Sequence, residues 1–203
     1  MFPLGTVLFP YGLLPLHVFE PRYRAMMRDC AREDHEFGVV LIERGSEVGG
    51  GDVRFSIGTL ARIVQIAELD DGGYALRAVG VRRLRVDAWL PEDPYPVAEV
   101  AELVEPELSA PDEAIAHAIR DRVQDALVRL FALWSQFDAR ASEIDVALAP
   151  DAVQASFEAA ALAPMGPLDA QRVLEAGNAA DRLASVEHWI ADEIELLESR
   201  GHD

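Results

Sequence analysis

The sequence predicts an α+β protein in which a sheet-rich first half is followed by a helical second half. Three observations predict it. Short apolar runs punctuated by proline and glycine fill the first hundred residues, and from Pro111 onward apolar residues recur every three or four positions instead. Charge changes at the same place: residues 1–90 hold 11 Arg against 12 acidic residues, net −1, whereas residues 91–203 hold 7 Arg against 24, net −17.

The opening run, residues 2–27, carries Pro3, Pro10, Pro15 and Pro21. Each lacks a backbone donor, so one helix through the run would lose a hydrogen bond at every proline. Strand, turn, strand and then a helix beginning at Pro21 fit better. After Pro21, Tyr23, Met26, Met27 and Cys30 share one helical face. Phe37 to Ile42 reads as a strand buried on both sides, and Gly45 to Gly51 as a loop. Ile57 to Leu69 and Tyr74 to Val79 form a hairpin about Asp70, Asp71, Gly72 and Gly73, because those glycines can take positive φ. Gly80 marks a bulge or bend before Val81 to Leu90 continues, and Val97 to Val104 adds a strand after a turn over Pro91 to Pro96. This gives about six strands and one helix.

In the second half, Ile115, Ile119, Val123, Leu127, Leu130, Trp134 and Phe137 place a long amphipathic helix after Pro111. A shorter helix spans Ala152 to Ala161 between Pro150 and Pro164, and another spans Leu168 to Glu175, ending near Gly177. Asn178 caps a last helix with a stripe of Leu183, Val186, Ile190, Ile194 and Leu197. Short loops make these a four-helix bundle. The acidic connector from Glu105 to Ser109, flanked by Pro106 and Pro111, divides the chain into 1–107 and 108–203.

The inventory excludes chemistries. All 18 basic residues are arginine and there is no lysine. A P-loop needs a lysine for the β- and γ-phosphates, and a Ser–Lys dyad needs an amine that can lose its proton, which a guanidinium cannot replace. No Gly-x-Ser-x-Gly elbow occurs. His117 with Asp121, and His188 with Asp192, stand one helical turn apart, but neither has a third ligand at diagnostic spacing, so no metal and no cofactor is expected. The single Cys30 is explained by packing. No apolar run reaches the ~20 residues of a membrane span, and the opening lacks a basic n-region and small-residue cleavage site, which reads as cytoplasmic.

Several motifs carry a family resemblance. Leu8-Phe9-Pro10, Gly12, Pro15-Leu16 and Val18 to Tyr23 resemble the opening of the Lon protease amino-terminal substrate-binding domain. Phe37 to Val40, Ile57 to Ile63 and Gly80 to Val86 are similar to its next strands, and Leu168 to Glu175 with Arg182-Leu183 to the helical signature that ends it. The resemblance implies a partly closed, PUA-like β-barrel of about six strands and one helix, followed by the four-helix bundle. It implies a non-catalytic module, not an enzyme, that binds unfolded or extended polypeptide segments. A standalone copy without ATPase and peptidase modules would act as an adaptor or regulator of proteolysis, with a separate protease as partner.

A peptide could add to a barrel edge or lie in a cleft between barrel and bundle. Phe9, Tyr11, Phe19, Tyr23 and Met26 are the candidate contacts; Phe19 and Met26 also suit a core, and Tyr11, beside a turn, suits an exposed contact best. Two alternatives belong to other classes. One is a PUA-like nucleic-acid binder using Arg82, Arg83 and Arg85, which the net charge of −18 opposes. The other is a small-molecule enzyme in the barrel–bundle cleft, for which no convergent titratable groups stand out.

Overall fold

The computed structural model describes residues 1–45 and 51–200. The glycine-rich loop expected over 45–51 falls largely on residues outside these. The described chain forms two compact units, Met1–Val104 and Glu105 onward.

The first unit is a six-stranded mixed sheet and one helix. Its elements are β1 (Phe2–Leu4), β2 (Leu13–Val18), α1 (Pro21–Cys30), β3 (Glu36–Arg44), β4 (Val53–Glu68), β5 (Tyr74–Trp89) and β6 (Ala98–Glu102). The strand order is β1-β3-β4-β5-β2, with β6 also on β5. Among the described residues, only the β1–β3 pair is parallel. The sixteen-residue strand β5 has β4 along one side; its other side takes β2 from Tyr74 to Val79 and β6 from Leu84 to Trp89.

Two bulges interrupt the β4–β5 ladder. Leu60 faces Arg82 and Ala61 faces Gly80, so Val81 is an extra residue beside the expected bend at Gly80. Ile63 faces Ala78 and Gln65 faces Arg77, which leaves Val64 unpaired and exposed; nothing in the apolar run around it announces this second bulge. The hairpin turn falls where expected, with Gly72 at φ +75°, a conformation that costs glycine nothing. The last strand is shorter than the expected Val97 to Val104, although the Leu103 N–H still donates to Arg83 O at 3.1 Å.

β1 and β2 sit at opposite ends of the strand order, and the eight residues joining them cross the sheet. The Thr59 hydroxyl on β4 donates to Leu8 O at 2.5 Å. The Tyr11 N–H then donates to Gly80 O at 2.8 Å, and the Gly80 N–H to Gly12 O at 2.9 Å. A Cβ on Gly80 would lie 2.1 Å from Phe9 O, so only glycine admits this crossing. Leu8 and Phe9 are buried, and the curled sheet is a partly closed barrel. Helix α1 fills its interior: Tyr23, Met26 and Met27 pack with Phe2, Leu14, Val18, Phe37, Ile63 and Leu76, and the Tyr23 ring stacks on Phe2 at 4.2 Å. Five consecutive buried residues, Phe37 to Leu41, make β3 the two-sided strand its sequence announced.

The second unit contains α2 (Ala110–Trp134), a 3₁₀ turn (Ala139–Glu143), α3 (Ala152–Leu162), α4 (Pro167–Glu175) and α5 (Ala179–Arg200). Ser109 caps α2, accepting from the Asp112 N–H, and Asn178 caps α5, accepting from the Asp181 N–H at 2.9 Å. The α5 stripe is buried as read. On α2 the buried face is Ala116, Val123, Leu127, Leu130 and Phe131, while Ile115 and Phe137 are exposed. The difference at Phe137 has a simple cause: the helix stops at Trp134 and the chain turns, so helical spacing no longer places that side chain.

Arg182 is fully buried in this unit. Its guanidinium donates to Glu105 Oε2 at 2.7 Å and to Ser156 Oγ at 2.9 Å, and lies 4.0 Å over the Phe157 ring. One side chain thus ties the unit's opening residue to α3 and α5.

Two substitutions test these joints by urea unfolding. Gly80→Val is expected to cost about 1–3 kcal/mol by overpacking against Phe9. Arg182→Ala is expected to cost about 3–5 kcal/mol, because it breaks the pair with Glu105 and the bond to Ser156 and empties the buried space over Phe157. A near-neutral result for either removes the corresponding joint.

Candidate functional site

The five residues expected at a peptide contact separate into two groups. Phe9, Tyr23 and Met26 are 4%, 3% and 1% exposed and belong to the core. Burial pushes the Tyr23 hydroxyl up to about 12, so it stays neutral. Tyr11 and Phe19 are 48% and 58% exposed. Phe19 is outside because β2 ends at Val18 and the following Glu20 opens α1, so its side chain continues the outward phase of the strand.

That phase defines the site. Tyr11, Leu13, Pro15, His17 and Phe19 are all exposed, whereas Leu14 and Val18 between them are buried and Leu16 is half-buried. Tyr11 is set at the start by its positive φ of 65° and its bond to Gly80, and His17 meets Phe19 edge-on at 6.3 Å. Leu13, Pro15 and His17 complete this exposed stripe and are not among the residues expected there.

β2 ends the strand order, and among the described residues its backbone pairs with β5 alone. Edge strands are normally blunted with lysines or inward charges. This one carries an apolar outer stripe and a single blunting residue, Pro15. Beside it lies a shallow groove of about 450 Å³. Register explains the groove: His17 is opposite Ala75, which is opposite Ala67, and Pro15 is opposite Arg77, which is opposite Gln65. The two alanines leave a low floor between taller side chains. At the far end of β2, a smaller pocket of about 90 Å³ lies between its residues and those of β1.

The other candidate residues are placed elsewhere. Arg83 is buried, whereas Arg82 and Arg85 are exposed and pair with Glu102 at 3.3 Å and Asp87 at 2.8 Å. The three arginines form no common basic face. His117 faces Glu113 at 3.9 Å rather than Asp121, and His188 faces Asp192 at 3.5 Å. Among the described residues, no three His, Cys, Asp or Glu side chains gather as a metal site. Cys30 is half-buried, and burial pushes its thiol up, away from the thiolate a nucleophile needs. Among the described residues, no helix is long and apolar enough to cross a membrane.

Fold and edge together define an α+β module whose exposed chemistry is an apolar strand. The chain belongs to the ATP-dependent protease La (LON) substrate-binding domain family, whose model matches residues 1–192. It is 37% identical to Lon protease 2 of Myxococcus xanthus over 98 residues, 47% of this chain and 12% of that protein. It is 30% identical to Lon protease of Anaeromyxobacter dehalogenans over 142 residues, 69% of this chain and 16% of that protein. The chain therefore spans less than a fifth of either protease. Among solved structures it is similar to a Lon N-terminal domain protein from Xanthomonas campestris, with TM-score 0.63, 26% identity, and coverage of 93% of this chain and 95% of that one. The N-terminal domain of Mycobacterium avium complex Lon protease has the same fold, with TM-score 0.65, 19% identity, and coverage of 94% and 97%.

The division between stripe and core has a stability signature. Phe19→Ser is expected to change unfolding free energy by no more than about 0.5 kcal/mol, whereas Met26→Ala is expected to cost about 2–5 kcal/mol. Comparable losses for both would mean that Phe19 is packed.

Proposed function

We propose that this chain is a non-catalytic polypeptide-binding module that takes unfolded or extended apolar segments onto the outer stripe of β2, serving as an adaptor or regulator for a separate protease. The observation that carries this reading is the alternation along β2: Leu13, Pro15 and His17 are exposed in phase on an edge strand, with exposed Tyr11 and Phe19 flanking it. Membership of a substrate-binding family supports it. So does charge. The stripe lies in the near-neutral half of the chain and carries no carboxylate or guanidinium, which suits an uncharged segment, while the acidic second half disfavours polyanions. Leu13 and Phe19 are already partly covered, so burying the rest of each would release about 1–2 kcal/mol before ordering costs. That suits weak, broad selection among unfolded chains.

Fluorescence anisotropy with a reduced, carboxymethylated polypeptide, without nucleotide, tests the reading. The Leu13→Glu, Phe19→Ser double variant is expected to bind about tenfold or more weakly, and Arg82→Ala with Arg85→Ala to bind as wild type does. Undiminished binding by the stripe variant contradicts the site. Binding of single-stranded RNA that weakens steeply with salt, and is lost in the arginine variant, contradicts the class.

A further inference from the structure

The small pocket between β1 and β2 adds a geometric element that the outer stripe does not explain. It is lined by Phe2 and Leu4 of β1, Leu16, His17 and Val18 of β2, and Phe19, Glu20 and Tyr23. These two strands terminate the sheet path and do not pair with each other, so the pocket marks the seam where the barrel stays open. Val18 and Tyr23 are buried and Leu16 is half-buried, so the pocket is mostly apolar, with His17 and Glu20 as its polar lining residues. The acid that lines it, Glu20, accepts from the Arg22 guanidinium at 3.1 Å, so the pocket presents a neutralised pair rather than a free charge. At about 90 Å³ the pocket is well below the ~150 Å³ that accommodates a benzene ring, and is the size for a branched aliphatic side chain.

Resting on the polypeptide-binding reading above, we propose that the bound segment adds as a β-strand to the free edge of β2, seating one branched aliphatic side chain in the β1–β2 seam pocket. Alternation makes the two surfaces of β2 act together. An added strand places every second side chain over the outer face beside Leu13, Pro15 and His17, and the intervening ones toward the barrel interior, where the pocket opens. Main-chain hydrogen bonds then supply sequence-tolerant affinity and the pocket supplies preference. Pro15 lacks an N–H and can donate nothing to a neighbouring strand, so the ladder is carried by the residues around it.

The probe is a short fluorescein-labelled peptide alternating serine and valine, measured by anisotropy against the full chain. Two further versions carry N-methyl groups on alternate amides, one in each phase. Only one phase of amides can face β2, so one methylated peptide is expected to lose about tenfold or more in affinity and the other to stay within about twofold of the parent. Equal affinity of the two methylated peptides overturns strand addition while leaving the stripe as the binding surface. If the parent peptide does not bind, or binds Leu13→Glu as tightly as wild type, the polypeptide-binding reading fails and strand addition with it. Replacing the valines by phenylalanine is expected to weaken binding severalfold; equal or tighter binding overturns the seam pocket as the selective element.

Discussion

The amino-terminal unit depends on one crossing. Between β1 and β2 the backbone passes over the sheet with Leu8 O held by the Thr59 hydroxyl and Phe9 O against the bare α-carbon of Gly80, which also exchanges hydrogen bonds with Tyr11 and Gly12. This crossing carries the chain from one end of the strand order to the other. It leaves β2 as a terminal strand and fixes Tyr11 at the head of that strand with its side chain outward. The interior is then completed by α1, whose Tyr23 stacks on Phe2 of the opposite terminal strand. An apolar segment that looks like core in the sequence thus has one face inside and one face in solvent.

That double character separates what was legible in the sequence from what was not. The prolines of residues 2–27 rule out a single helix, and Pro21 with the Tyr23, Met26, Met27, Cys30 spacing places α1 correctly, because proline chemistry and helical period are local properties. The hairpin glycines and the bend at Gly80 are legible for the same reason. The exposed stripe is not. Leu13 to Phe19 is apolar at almost every position, so the alternation that normally reveals which face of a strand is buried is missing. By residue type Phe19 suits the core better than the surface, and nothing in the sequence marks Leu13 and His17 for exposure. Only pairing with β5 and packing under α1 decide the faces.

Arg82, Arg83 and Arg85 illustrate the converse. Clustered in sequence, they suggest a basic patch, yet Arg83 is buried, Arg82 and Arg85 stand on opposite faces of β5, and local acids pair these exposed two. Arg182 gave no signal beyond its place in a family motif, because burial of a guanidinium requires partners supplied by distant residues, here Glu105 and Ser156. The acidic character of the second half, by contrast, needed no structure. It accompanies a helical unit whose exposed arginines Arg122 and Arg129 already pair with Glu187 and Glu198, leaving a surplus of negative charge that disfavours polyanionic partners.

Hydrogen exchange of the β2 amides, recorded with and without an unfolded polypeptide, addresses the apolar edge most directly. Slowed exchange in the segment Leu13–Val18, with β6 unchanged, is the result expected if β2 receives the bound chain. Unaltered β2 amides alongside protection elsewhere in the molecule would contradict it.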